Sequence, residues 1–382
     1  MTAPIDPVEL TAALVRCPSV TPEEGGALRL IEERLTPLGF RCTRISRGGV
    51  ENLYARWGDA APVFAFNGHT DVVPAGDAAA WTHPPFGAEA ADGHIWGRGS
   101  VDMKSGVAAF VAAAAALVDE APPAGSIALL VTGDEEGEAV DGTAAILDWM
   151  RANGEQADVC IVGEPTAAER LGDTVKIGRR GSATGYLAVT GRQGHSAYPE
   201  SALNPLPVLA RICVRLAEAE LDRGSEHFQP STLALTSIDV GNPANNVIPA
   251  EGRAVFNIRF NDRHTSDSLA AWAGEIVAEE CARDDAGHRL DWQVSGESFL
   301  TPPGPFTDLV SDVLEAEGFG RPALTTGGGT SDARFVRDMC PVLELGLVGR
   351  GMHQTDERVP EEDVRALAVI YRKILERYFQ AG

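Results

Sequence analysis

Ala65-Phe-Asn-Gly-His69-Thr-Asp71-Val-Val-Pro74 is the stretch on which the reading of the fold turns. Val63, Phe64 and Phe66 lead into Asn67-Gly68, the pattern of a buried strand that ends at the glycine. In an open α/β sheet, ligands bind beyond the carboxyl ends of the strands, which is where His69 then falls. Residues two apart on an extended segment point to the same side. Asp71 is therefore spaced to engage one ring nitrogen of His69 and leave the other for a metal.

Composition bounds what such a site can serve. The chain has 382 residues, 44% of them hydrophobic, enough for two domains with cores of their own. A net charge of −23 argues against nucleic acid or an anionic membrane as partner. The longest apolar run, Val107 to Val118, is too short to span a bilayer. The first ten residues carry neither a basic region nor a secretory core. Six cysteines, at 17, 42, 160, 213, 281 and 340, form no close pair, as expected of reduced thiols in the cytoplasm.

Outward from the central stretch, apolar stripes predict helices over 8–17 and 25–39, with Thr21-Pro22-Glu23-Glu24 as the cap of the second. Strands are expected over 41–45, 52–57 and 63–67, and an alanine-rich helix runs to about Val118. Two further buried runs, 126–132 and 158–162, flank a helix over 143–150. Such alternation predicts an α/β domain with a mixed, largely parallel sheet covered by helices. After Gly178 the rhythm changes to strands over 182–190, 231–240, 252–260 and 289–294, with helices over 203–221 and 266–282. This is read as an α+β domain of residues 181–295, inserted into a discontinuous domain of 1–180 and 296–382. A final amphipathic helix is expected over 361–379.

The ends of the buried runs carry the chemistry. Gly133-Asp134-Glu135-Glu136-Gly137-Glu138 follows one and Gly163-Glu164-Pro165-Thr166 another. Asp102 lies in Trp96-Gly-Arg-Gly-Ser-Val-Asp102-Met-Lys-Ser-Gly106, and His353 in Gly351-Met-His-Gln-Thr-Asp356. Each residue alone reads as a surface acid or a satisfied histidine. Together they offer imidazoles and carboxylates, with no cysteine, a set suited to zinc, manganese or cobalt. Two metals about 3.5–4 Å apart need about five such ligands, one of them bridging. In the Glu135-Glu136 pair, one carboxylate can bind metal while its neighbour takes a proton from the attacking water. The glycines at 97 and 99 lack the third glycine of a dinucleotide loop, and no Gly-Lys-Ser/Thr of a P-loop occurs.

With these motifs in view, the chain resembles the di-zinc aminoacylase and carboxypeptidase family that includes acetylornithine deacetylase. The likeness rests on Gly68-His-Thr-Asp-Val-Val-Pro74, Gly97-Arg-Gly-Ser-Val-Asp-Met-Lys104, Gly133-Asp-Glu-Glu-Gly137 and Val162-Gly-Glu-Pro-Thr166, and it spans essentially the whole chain. It implies His69 and Glu164 on one zinc, Glu136 and His353 on the other, and Asp102 bridging both. It also implies Asp71 orienting His69, Glu135 as general base, and a cis peptide after Asp102.

Within the family, the pattern is most similar to the branch that hydrolyses N-succinyl-LL-2,6-diaminopimelate. That likeness rests on Lys176-Ile-Gly-Arg179-Arg180-Gly-Ser182, Gly194-His195-Ser-Ala-Tyr198-Pro, Asn245-Asn246-Val-Ile-Pro249 and Thr326-Gly-Gly-Gly-Thr330-Ser-Asp-Ala-Arg334-Phe. Substrate contacts are expected from Arg179, Arg180, Tyr198, Asn245, Arg259, Gly328, Thr330, Ser331 and Arg334. Arginines would grip the extra carboxylate of a succinyl group bidentately, and glycine amides can approach an anion. The resemblance further implies a cytoplasmic homodimer whose His195 reaches the partner's active site. The alternatives are an acetylornithine deacetylase or di-zinc dipeptidase, and, from another class, a metal-binding domain without catalysis. The intact Glu135 beside Glu136 argues against the last.

Overall fold

Val63–His69, buried at every position, runs through the middle of an eight-stranded sheet. This computed structural model describes residues 4–381. Two compact units emerge: Met1–Ile177 with Thr301–Thr325 and Ser331–Gly382, and Gly178–Leu300 with Thr326–Thr330. The second unit thus takes in the residues just outside the expected 181–295 together with the 326–330 loop.

In the first unit the sheet order is Arg41–Arg47, Val50–Trp57, Ser126–Thr132, Val63–His69, Val159–Val162, Val342–Glu344, Thr174–Lys176 and Ala323–Thr325. The four strands at its heart, Ser126–Thr132, Val63–His69, Val159–Val162 and Val342–Glu344, are mutually parallel. Antiparallel pairing joins Arg41–Arg47 to Val50–Trp57 and Val50–Trp57 to Ser126–Thr132, so the sheet is mixed. Strands covered on both faces read as continuous apolar runs, as these do. Phe64 and Phe66 point to one face, where Phe66 stacks on Phe110 of helix Lys104–Glu120 at 4.2 Å and meets Tyr371 of helix Glu361–Ala381 at 5.7 Å. On the other side, the Asn67 amide donates to Thr143 at the start of helix Thr143–Asn153 (3.0 Å).

Some local expectations need correction. The second helix starts at Ala27, not at the expected Gly25, because Gly25 and Gly26 both take left-handed backbone first. Glu24 still serves that helix, accepting the Leu28 N–H at 3.1 Å. The strand expected over 63–67 continues through Gly68 to His69, which pairs with Thr132. Between Pro74 and the helix Lys104–Glu120, Glu89–Ala91 and His94–Trp96 form a small sheet with Arg358–Pro360.

The second unit is a four-stranded antiparallel sheet ordered Thr232–Asp239, Glu251–Phe260, Gly181–Thr190 and Gly287–Gly296. Helices Pro205–Ala217 and Ser266–Arg283 contribute to its core, where Leu209, Ile212, Leu216, Leu269 and Val277 meet Leu187, Val189, Phe256 and Ile258. Alternation of inward apolar and outward polar residues along Glu251–Phe260 matches a sheet with one covered face.

Candidate metal centre

The parallel strands bring their carboxyl ends into register: His69 lies opposite Thr132, Asn67 opposite Val162, and Val162 opposite Glu344. The loops that follow therefore leave from one edge of the sheet, carrying Glu135 and Glu136 after Thr132 and Glu164 after Val162. The helix Lys104–Glu120 starts directly after Asp102-Met103, whose peptide bond is cis, as the resemblance implied.

His69 is fully enclosed. Its Nδ1 lies 2.9 Å from the main-chain carbonyl of Asp71, which can only accept, so Nδ1 carries the proton and Nε2 is left as a ligand atom. Asp71 engages the ring through its main-chain carbonyl; its carboxylate stands 3.6 Å from Nδ1 and accepts the N–H groups of Glu135 (3.2 Å) and Glu136 (3.1 Å). Asp71 thus fixes the imidazole through its carbonyl and the glutamate pair through its side chain. Asp134, in the same loop, accepts from Val140 (3.0 Å) and Asp141 (3.1 Å) and closes the turn behind the pair.

Around His69 Nε2 stand Asp102 Oδ1 at 3.2 Å and Glu164 Oε1 at 3.8 Å. His353 Nε2 lies 3.2 Å from the other oxygen of Asp102 and 2.8 Å from Glu136 Oε1. Asp102 so presents one oxygen to each imidazole, the disposition of a bridging carboxylate. Ligand atoms of His69, Asp102 and Glu136 lie within 4.8 Å of one another, as do those of His69, Glu135 and Glu164. Glu164 Oε1 is buried and accepts no hydrogen bond among the described residues. A buried carboxylate oxygen without a donor is costly unless a cation engages it. The donor set therefore fits divalent metal.

The electrostatics say the same. Burial, together with Asp102 and Glu135, pushes Glu164 well above the usual carboxylate range. Burial and the neighbouring carboxylates of Asp332, Glu136 and Asp102 push Glu135 up to about 8, against the pull of His69. His353 is raised to about 10, chiefly by its hydrogen bonds to Asp102 and Glu136. Burial opposes charge on His69, but Asp102, Glu164 and Asp71 outweigh it and hold the imidazole well above its ordinary value. Desolvation would raise Asp102, yet the two histidines win and hold it low. Excess negative charge is here compensated by protons, the place a metal ion would take. Asp332, in the Thr330-to-Arg334 motif, was not singled out from the sequence; nothing local distinguishes it from a solvated turn acid.

Among the expected substrate contacts in the first unit, Ser331 donates to Glu344 at 2.5 Å, and Arg334 stacks on Phe335 at 4.4 Å with Nη1 on the Ser331 carbonyl. In the second unit, Gly194–His195 pairs with Val247–Ile248, and Ser196 N–H bonds the Asn246 carbonyl at 2.9 Å. That pairing gathers His195, Tyr198 and Asn245 in adjoining loops, with the His195 and Tyr198 rings 5.8 Å apart and both exposed. Arg179 Nη1 reaches the carbonyls of Gly327 (3.4 Å) and Gly329 (3.1 Å), so Gly328 and Thr330 sit on the same loop beside it. Arg259 faces Ser182 across the sheet and lies close enough to Arg180 that, after burial, this like charge lowers its pKa. Among the described residues, Arg180 Nε and Arg334 Nε are buried without a hydrogen-bond partner, while the Arg334 charge pulls on the neighbouring Asp332 carboxyl, which burial raises.

The model of peptidase family M20/M25/M40 matches residues 65–377, and the chain belongs to that family. It is 61% identical over 378 residues to a succinyl-diaminopimelate desuccinylase of Cereibacter sphaeroides, covering 98% of this chain and all of that one. It is 58% identical to the protein of the same name in Paracoccus denitrificans, over 99% of this chain and all of that one. Solved structures agree on the fold. Aminopeptidase PepT from Bacillus cereus superposes with a TM-score of 0.80 at 19% identity, covering 97% of this chain and 98% of that one. A Bacillus subtilis protein described as a dinuclear metal binding peptidase of the M20 family gives 0.77 at 14% identity, with 98% of each chain covered.

Proposed function

We propose that this chain hydrolyses the amide bond of N-succinyl-LL-2,6-diaminopimelate, releasing succinate and LL-2,6-diaminopimelate. The observation that carries the reading is the convergence of His69, Asp102, Glu135, Glu136, Glu164 and His353 at one edge of the sheet. It is supported by full-length relatives at about 60% identity bearing the desuccinylase name.

His69 and Glu164 would hold one divalent ion and Glu136 and His353 a second, with Asp102 shared between them; zinc is proposed, with cobalt or manganese as substitutes. Bound there, the ions would supply Lewis acidity to the amide carbonyl and to the attacking water. Glu135 takes the proton of that water and returns it to the leaving nitrogen. Its neighbours suit it to that work, since they favour the protonated carboxyl it must become midway. Arg179, Arg180, Arg259 and Arg334 are proposed to receive the substrate carboxylates, with the Gly327–Gly329 amides beside Arg179. His195 is proposed to act across a homodimer interface as a hydrogen-bond donor to the developing oxyanion. The six free thiols suit a cytoplasmic protein, and no helix among the described residues is long and apolar enough to cross a membrane.

The test is a substrate panel. Protein reconstituted with zinc is offered the succinylated substrate, N-acetylornithine and simple dipeptides, and free amine is measured. Strong preference for the first is expected. Preference for N-acetylornithine or a dipeptide overturns the substrate assignment, and no turnover of any favours a binding role.

A further inference from the structure

Two of the six converging residues are carried on loops that one buried ion pair ties together. Glu357 is fully buried and shares out its carboxylate: Oε1 accepts the main-chain N–H of Val101 (2.9 Å) and of Asp102 (3.2 Å), and Oε2 accepts Arg98 Nη1 at 2.6 Å. Arg98, 3% exposed, spends further donors on the carbonyls of Gln354 (3.3 Å) and His353 (3.2 Å), the latter 255 residues away in sequence. One ion pair therefore grips Asp102 by its amide and His353 by its carbonyl.

The backbone at His353 shows why a grip is needed. Its φ is 62°, a left-handed conformation that a non-glycine residue keeps only when its surroundings hold it. The adjacent sheet, in which Arg358 pairs with Trp96, and the bond from Gly97 N–H to the Glu357 carbonyl (2.8 Å) align the two segments without touching either ligand residue. A buried ion pair is no more stabilising than apolar side chains of similar volume. Apolar side chains, however, cannot satisfy two amides and two carbonyls at once.

We propose that Arg98 and Glu357 are positioning residues for one of the two metal sites, setting the separation of Asp102 from His353 and with it the affinity of the site that uses Glu136 and His353. This rests on the two-metal reading above. The other site shares Asp102 but keeps two ligands outside the pair's reach: His69, held by the Asp71 carbonyl, and Glu164, on the loop after Val162. Groups that orient metal ligands typically alter affinity by about 10–100-fold when removed, and here the loss falls mainly on the site that uses His353, since only that site has two ligands held by the pair.

Metal-free protein titrated with cobalt(II), followed by visible absorption and calorimetry, tests this. Wild type takes up two ions, and His353→Ala identifies which event belongs to His353. Arg98→Lys keeps a charge opposite Glu357 but loses the fork that reaches both carbonyls. It is expected to weaken the His353 event by about 10–100-fold and leave the other nearly unchanged. Glu357→Gln, which keeps a carbonyl oxygen for the Val101 and Asp102 N–H groups but loses the charge opposite Arg98, should do the same. Two events at wild-type affinity in Arg98→Lys, or equal weakening of both, overturn the proposal. If Glu357→Gln does not fold by circular dichroism, Arg98→Lys decides; collapse of both makes the pair a general stability element and overturns the selective role. Wild type binding fewer than two ions sinks the two-metal reading, and this proposal with it. Wild type binding two, with an unaltered Arg98→Lys, sinks this proposal alone.

Discussion

His353 Nε2 lies 2.8 Å from Glu136 Oε1, although 217 residues separate them in sequence. The contact joins a loop that leaves the centre of the sheet to one just before the last helix. It also sets the adjacent glutamates apart in space: Glu136 contacts His353 and groups with His69 and Asp102, whereas Glu135 groups with His69 and Glu164.

That division has a direct consequence. Glu135→Gln is expected to keep about two metals per chain while losing turnover by at least about 10²–10⁴-fold, the usual contribution of a proton-transfer group. Glu136→Ala should instead lose or weaken one metal. Metal analysis beside steady-state rates checks this, and the reverse pattern would mean the roles are exchanged.

Metal uptake should be coupled to proton release. In the metal-free protein, His353 at about 10 and Glu135 at about 8 hold protons at neutral pH, and Glu164 is raised by burial and its neighbouring carboxylates. A ligand must shed its proton to bind metal, so protons compete with the ion and affinity rises with pH. Calorimetric titration at about pH 7 in buffers of different ionisation heat should show net release. A heat independent of buffer, or affinity that falls from about pH 6 to 8, would contradict the assignment.

Gly346 offers a mutation outside the ligand set. A Cβ there would overlap the main-chain carbonyls of Glu164 and Gly163, and backbone cannot swing aside as a side-chain tip can. Gly346→Ala should therefore displace Glu164 and weaken one metal site by about 10–100-fold. Gly274→Ala, with nothing within 4 Å of the new methyl, is the control and should leave metal binding unchanged. Equal metal affinities in the two variants would argue against Glu164 as a ligand.

The proposed role of His195 across a dimer is tested by complementation. Glu135→Gln and His195→Ala, each inactive alone, are co-refolded in equal amounts. About half the dimers are then mixed, and each mixed dimer holds one complete site if the histidine acts in trans, so roughly a quarter of wild-type activity returns. Verified mixed dimers without activity would rule out the trans arrangement.

Much of the fold was legible because it rests on local patterns. The apolar runs at 63–67, 126–132 and 158–162, and the helical stripes between them, specify strands and helices through burial within each segment. Short motifs at the ends of those runs, such as Gly133 to Gly137 and Gly163 to Thr166, exposed the ionisable residues in the same way. Tertiary structure alone decided which of them meet. Spacing suggested Asp71 as the partner of His69 but not which of its groups; the turn after Val63–His69 supplies the carbonyl and sends the carboxylate to the Glu135 and Glu136 amides. Glu357, beside Asp356 and followed by Arg358, looks in sequence like a solvated charge, yet it is fully buried on Arg98, 259 residues away. A salt bridge closed by chain topology leaves no periodicity to read, since neither partner's neighbours in sequence record what the fold will place against it.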